Sequence, residues 1–255
     1  MFEEIRRRLS RIESEEDVRI LYACESGSRA WGFASGNSDW DVRFIYARRP
    51  EWYLSVDLEK KRDVIELPIV DDLDVNGWDI RKALRLYRGS NPPLFEWVHS
   101  PIVYHAHTDF IARLRGGLRA YYSLKSCHYH YLSMARKNYR EYLQGERVRL
   151  KKYLYVLRPL LAVMWLEQGR GRVPVEFAVL LDCLGDIRVK AEIDSLVQRK
   201  IQGDELAQGA RIDVLNRFID GELERLDRIE PPAADASEVE PLNRIFRETL
   251  IAAWA

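Results

Sequence analysis

Two carboxylates one residue apart, Asp39 and Asp41, stand at the entrance of an apolar segment, residues 42–46, rich in β-branched and aromatic side chains. That composition reads as a strand, and residues i and i+2 of a strand share a face. The carboxylates would then lie side by side. Like charges so placed oppose each other's ionisation, and a divalent cation removes the conflict. Oxygen-only ligands favour Mg²⁺, which sits on one or two carboxylates plus substrate phosphates. Upstream, Gly27 and Ser28 follow a second short apolar segment, residues 20–24. Glycine admits positive φ and close approach of a ligand to the backbone. Successive N–H groups of such a turn form an anion nest, to which the Ser28 hydroxyl adds a donor. A phosphate cradle followed by paired aspartates is the layout of metal-dependent phosphoryl or nucleotidyl transfer. The competing reading, a surface loop with two solvated aspartates, fits an isolated Asp-x-Asp. The Gly-Ser turn and the flanking strand-like runs weigh against it here.

The elements that must hold these residues fall into two regimes. Residues 2–12 read as an amphipathic helix, with Phe2, Ile5, Leu9 and Ile12 at helical spacing and residues 14–17 interrupting it. Strands are expected at 18–24, 41–47 and 62–70, the last confined by Pro68 to an edge. Residues 80–87 and 94–98 read as helices, and residues 101–104 as a strand or connector. Beyond about residue 107 helical periodicity dominates, with helices expected at 108–122, 124–143, 146–168, 174–183, 186–201, 204–228 and 237–253. Residues 231–235, Pro-Pro-Ala-Ala-Asp, read as a linker. The composition shift gives a first domain over 1–105 and a helical second domain over 106–255.

Composition bounds the function. A chain of 255 residues holds one large or two small domains. Forty basic and forty acidic residues balance, which argues against a protein that coats duplex nucleic acid but permits a local basic groove. Three scattered cysteines, Cys24, Cys127 and Cys183, fit a reduced, cytoplasmic setting without disulfides or structural zinc. No segment approaches the length of a membrane span, and the N-terminus lacks the apolar core of a signal peptide. His105/His107 and His128/His130 lack the partners and spacing of a metal site. Trp31 and Trp40, beside the motif residues, are the aromatics best placed to meet a nucleobase.

The layout Gly27-Ser28, ten residues, Asp39-x-Asp41 resembles the DNA polymerase β-like nucleotidyltransferase superfamily. Further wording narrows it. Gly27-Ser28-Arg29-Ala30-Trp31-Gly32, Ser38-Asp39-Trp40-Asp41-Val42-Arg43, Gly77-Trp78-Asp79-Ile80-Arg81-Lys82-Ala83-Leu84 and Glu96-Trp97-Val98-His99-Ser100-Pro101 resemble the nucleotidyltransferase family associated with bacterial RNA-repair gene clusters. The resemblance covers roughly residues 15–190. It implies an α+β fold: a polymerase-β-like domain with a small mixed sheet, followed by an all-α helical bundle. It implies NMP transfer from an NTP to an acceptor hydroxyl with release of pyrophosphate, using two Mg²⁺ ions, with Mn²⁺ as a substitute.

In that resemblance Asp39 and Asp41 hold both metals, and a third carboxylate lies on a neighbouring strand between apolar residues. Asp74, between Leu73 and Val75, fits. Asp79 is the alternative, although Asn76 as helix cap with Asp79 in the first turn explains it structurally. Gly27, Ser28, Arg29 and Ser38 stand on the nucleotide side. Lys151 or Lys152 would be the lysine that the helical domain lends to the phosphates; a solvated basic edge is the competing reading. Arg43 and Lys82 are further basic candidates, read as structural. The implied acceptor is an RNA end, tRNA-like. A protein side chain, as in antitoxin-like transferases, is the competing acceptor, and a non-catalytic NTP-binding sensor or scaffold is the non-enzymatic alternative.

Overall fold

The structure, a computed structural model, describes residues 1–203, 208–228 and 238–255. It is α+β, and it groups into two compact units. One comprises Met1–Ala30, Asp39–Tyr122 and Ala236–Ala255; the other comprises Trp31–Ser38 and Ser123–Asp235. This division differs from a cut at residue 105. The helices Thr108–Gly116 and Glu240–Ala253 belong with the sheet unit, because Phe110, Ile111, Leu114, Leu242 and Leu250 complete its apolar core. Periodicity alone cannot tell which core a helix will join.

The sheet unit is built on five strands: β1 Val18–Glu25, β2 Trp40–Arg48, β3 Val64–Glu66, β4 Leu73–Asp79 and β5 Val103–Ala106. Their order is β3-β4-β2-β1-β5. β2 and β4 run parallel and every other pair is antiparallel. The strand pleat sorts side chains cleanly. Val42, Phe44, Tyr46, Leu73 and Val75 pack on one face, against Ile5, Leu9 and Ile12 of the helix Phe2–Glu16. Ile45 and Ala47 pack on the other face, against Ile80, Ala83, Leu84 and Tyr87 of the helix Ile80–Arg88. Gly77 is required by this packing: a Cβ there would stand 2.2 Å from the Phe44 ring.

Several sequence expectations need correction. The first helix runs through Ser14 to Glu16, held by the exposed Arg11–Glu15 pair, and stops at Asp17, whose φ of 48° is left-handed. The strand expected over 62–70 is reduced to three residues at the sheet edge. The stretch Leu73–Asp79 is a full strand because it lies parallel to β2 along its whole length.

In the helical unit, the helix expected from 146 begins at Lys151, after a strand, β6 Arg147–Arg149. This strand pairs antiparallel with β7 Gln208–Ala210, where a helix was expected, so the second of those helices spans only Asp213–Leu226. That pairing joins segments some sixty residues apart, a non-local contact that no short window registers. Pro159 lies buried inside Lys151–Glu167, which continues beyond it. The other main helices are Leu124–Tyr142 and Ile187–Ile201; the segment expected as a helix over 174–183 is two short turns, Phe177–Leu180 and Leu181–Cys183. The expected linker at 231–235, and residue 237 at the start of the expected last helix, lie outside the described residues.

Candidate active site

Parallel pairing of β2 with β4 places Asp41 directly across from Asp74. One guanidinium spans both: the Arg43 Nη2 lies 3.1 Å from Asp41 Oδ1 and 2.7 Å from Asp74 Oδ2. Its Nη1 donates to the carbonyls of Val42 and Asp74, at 3.1 and 3.0 Å. Asn76 donates its amide to Asp74 Oδ1 at 2.5 Å. Asn76 is therefore a strand residue that orients Asp74, not the expected helix cap. Arg43, read from sequence as structural, is the counter-ion of the site.

Asp41 is fixed from below. Its N–H donates to Glu25 Oε1 at 2.8 Å, and its carbonyl accepts from Ser26 N–H at 2.8 Å. Glu25 is fully buried, and its second oxygen accepts from the Tyr104 hydroxyl. Burial pushes the Glu25 carboxyl above its ordinary range, opposed by the bonds from Tyr104 and the Asp41 N–H. Sequence reasoning missed Glu25. The available signal was an acidic residue closing an apolar strand immediately before Ser-Gly-Ser.

Gly27 opens one helical turn, Gly27–Ala30, with φ of +59°. A Cβ at this position would lie 2.0 Å from Asp41 Oδ2 and 2.9 Å from its Cγ. The close approach that glycine permits is thus by the carboxylate of Asp41 itself. Ser28 lies half-buried in the same turn. Arg29 stacks over the Trp40 ring at 3.8 Å and donates to the Asp39 carbonyl at 3.1 Å, which joins the two halves of the motif.

Asp39 is exposed, just before β2. Burial raises the Asp41 carboxyl above its ordinary range; Arg43 opposes this, and the charges of Asp74 and then Asp39 add to it. The three carboxylates therefore act on one another. As they stand, no three His, Cys, Asp or Glu side chains among the described residues are gathered into a metal-holding group. Two carboxylates in register, converging on one cation and offering only oxygen, are nevertheless the donor chemistry that a hard divalent cation takes.

Asp79 is set apart. It ends β4, opposite Tyr46, on the Leu73/Val75 side of the pleat and about 17 Å along the strand from Asp74. It is itself the cap of Ile80–Arg88, accepting from Arg81 N–H at 2.8 Å and from the Tyr53 hydroxyl at 2.6 Å. Lys82 pairs with Asp63 at 2.9 Å.

The segment between the motif halves, Trp31–Ser38, groups with the helical unit. Trp31 packs against Tyr155 and Phe33 and lies under the buried Arg158 guanidinium, 4.5 Å away. The Ser38 hydroxyl takes the Ser35 N–H at 3.0 Å and the Lys200 ammonium at 3.3 Å. Trp31 and Ser38 thus serve to anchor this loop in its own unit. Lys151 is exposed at the start of its helix, and the Lys152 ammonium lies 3.9 Å from the Tyr142 ring.

Asp39 and Asp41 at the entrance of β2, Asp74 in register on β4 and a Gly-Ser turn beside them are the layout that the nucleotidyltransferase resemblance implies. Residues 1–248 match the RNA repair pathway DNA polymerase beta family, and the chain belongs to that family. It is similar to the uncharacterized protein YcgL of Bacillus subtilis (strain 168), with 46% identity over 249 residues covering 96% of this chain and 95% of that protein. Among solved structures it matches a nucleotidyltransferase-like protein from Exiguobacterium sibiricum 255-15, at 14% identity and a TM-score of 0.32 over 98% of this chain and 81% of the other. No helix among the described residues is long and apolar enough to cross a membrane.

Proposed function

We propose that this protein is a metal-dependent nucleotidyltransferase that moves a nucleoside monophosphate from an NTP to an acceptor hydroxyl, with an RNA end as acceptor. The observation that carries this reading is the register of Asp41 with Asp74 around one shared cation. Membership of an RNA repair pathway family supports the choice of acceptor. In the reaction the acceptor oxygen bonds to the α-phosphorus as the bond to the β-phosphate bridging oxygen breaks. Pyrophosphate leaves with that electron pair, and the hydroxyl proton passes to a base or to water.

Asp39, Asp41 and Asp74 would hold two Mg²⁺ ions, or Mn²⁺, whose bound charge would lower the hydroxyl pKa and neutralise the leaving pyrophosphate. Asp74 is the third carboxylate in this reading, since Asp79 already spends its oxygens on a helix cap and a tyrosine. Arg43 holds Asp41 and Asp74 parallel before the substrate arrives. Glu25 fixes the Asp41 backbone, so that the carboxylate meets its ligands without reorganising. The turn at Gly27 and Ser28 offers its N–H groups and hydroxyl to the phosphates.

The test incubates the protein and Mg²⁺ with each α-³²P-labelled NTP, with total RNA in one set and cell protein in another. Asp39→Ala/Asp41→Ala serves as the control. Label on RNA that the variant does not transfer is the expected result. Label on a protein band would move the acceptor to a side chain. NTP binding without transfer to either would leave a sensor or scaffold.

A further inference from the structure

The helical unit carries a basic strip that includes the two lysines expected at the phosphates, Lys151 and Lys152. Over residues 140–152 the sequence has five basic and two acidic residues, in a chain whose charges otherwise cancel. β6 sets Arg147 and Arg149 on the same, exposed side of the ribbon while Val148 is buried between them. Arg147 also donates to the Gln208 carbonyl across the ribbon, at 3.3 Å, which holds its stem in place. Two residues on, the exposed Lys151 opens the long helix, followed by the half-buried Lys152. Aromatic rings are interleaved with these cations. The Lys152 ammonium lies 3.9 Å from the Tyr142 ring and 5.2 Å from the Tyr155 ring, and Tyr155 is 38% exposed. The cations crowd one another: burial and then Lys151 depress the Lys152 ammonium below its ordinary range, Glu141 opposes this, and Arg149 adds a smaller push downward. An anion laid along the strip relieves that crowding.

We propose that this strip, Arg147, Arg149, Lys151 and Lys152 with Tyr142 and Tyr155, binds a single-stranded segment of the RNA acceptor. Phosphates lie along the ribbon cations and unstacked bases lie against the tyrosine rings. Alternation of cations with aromatic rings, here the exposed Tyr155 and the half-buried Tyr142, is the pattern of single-strand binding, where bases stack and the backbone is tracked electrostatically. A purely acidic protein partner would need the cations but not the rings. The inference deepens the RNA reading of the acceptor and rests on it.

Fluorescence anisotropy of a dye-labelled 12-nucleotide RNA, over a salt series and without NTP or divalent ions, tests it. Each phosphate contact on a single strand contributes about 0.7 to the slope of log K against log salt. Arg147→Ala/Arg149→Ala should lower that slope by about 1.4 and weaken binding roughly tenfold at low salt, while thermal unfolding is unchanged. Tyr155→Leu should weaken binding and leave the slope alone. Lys151→Glu, at an exposed helix start, gives an independent second variant with the same expected direction as the arginine pair. Wild-type affinity and slope retained in the arginine pair and in Lys151→Glu would overturn the strip. So would a wild-type protein that ignores the RNA but binds polyglutamate. Binding RNA through the strip without transferring label would remove the transferase reading and leave the strip. Transfer to RNA undiminished in the arginine pair would remove the strip alone.

Discussion

Replacing Gly27 with alanine separates two roles of one residue. The φ of +59° costs an L-residue about 1–2 kcal/mol wherever it occurs. At Gly27 the new methyl would also lie 2.0 Å from Asp41 Oδ2 and 2.9 Å from Cγ, well inside contact distance. Backbone bonds hold Asp41 to Glu25 and Ser26, so its side chain must rotate away, losing Arg43 and its alignment with Asp74. Overpacking of this kind adds about 1–3 kcal/mol. Gly32 supplies the control: its φ is +87°, but a Cβ there meets nothing within 4 Å. Gly32→Ala should therefore cost only the backbone term, about 1–2 kcal/mol, and leave metal binding intact. Gly27→Ala should cost about 2–5 kcal/mol and abolish Mn²⁺ binding. Urea unfolding reads the first quantity and electron paramagnetic resonance titration of Mn²⁺ the second. If Gly27→Ala binds Mn²⁺ as the wild type does, Asp41 is not the metal ligand proposed above.

Three further outcomes follow from the same geometry. Arg43→Met leaves Asp41 and Asp74 facing each other without a cation, so the metal-free protein should lose roughly 2 kcal/mol. Mg²⁺ should raise the variant's melting temperature more than the wild type's, and equal shifts would sink the counter-ion role. Burial pushes the Asp79 carboxyl up to about 6, despite bonds from Tyr53 and the Arg81 N–H and the nearby Arg48 charge, with Asp63 adding to the rise. The folded state then binds the proton more tightly than the unfolded one. The contribution is full below the ordinary carboxylate pKa and is lost as pH rises through 6. Asp79→Asn retains a capping side chain; against it the wild type should lose up to about 3 kcal/mol of relative stability between pH 4 and 6, and parallel unfolding profiles would contradict this. Trp254 donates to the Arg48 carbonyl at 2.9 Å and packs against the Arg19 and Arg49 guanidiniums, so Trp254→Ala should destabilise by about 2 kcal/mol in urea unfolding.

The residues of the candidate site are written locally in the sequence and their support is not. The turn at Gly27 and the strand that carries Asp41 are legible because turn chemistry and strand composition are short-range rules, whereas Asp39, expected to share a strand face with Asp41, lies just before β2. Asp74 needed a neighbouring strand, and only the parallel register of β4 with β2 puts it across from Asp41. Asp79 stands in the sequence as the alternative to Asp74; in the structure β4 ends there and its carboxylate caps the next helix. Arg43 reads in the sequence as a further basic candidate with a structural role, because its second partner is thirty-one residues away. Glu25 was hidden for the same reason, with Tyr104 arriving from β5. The β6–β7 ribbon was read as helix on both sides, since charged and apolar residues at those positions satisfy either period and only the distant partner decides.

The most direct test of the proposed transferase site is a crystal of the protein grown with Mn²⁺ and a non-hydrolysable NTP analogue, with data collected at the manganese edge. The account predicts an anomalous peak on the Asp41 and Asp74 carboxylates, joined by Asp39, with the Arg43 guanidinium displaced from between them. Arg43 still bridging Asp41 and Asp74, with the analogue bound and no manganese on either carboxylate, would contradict it.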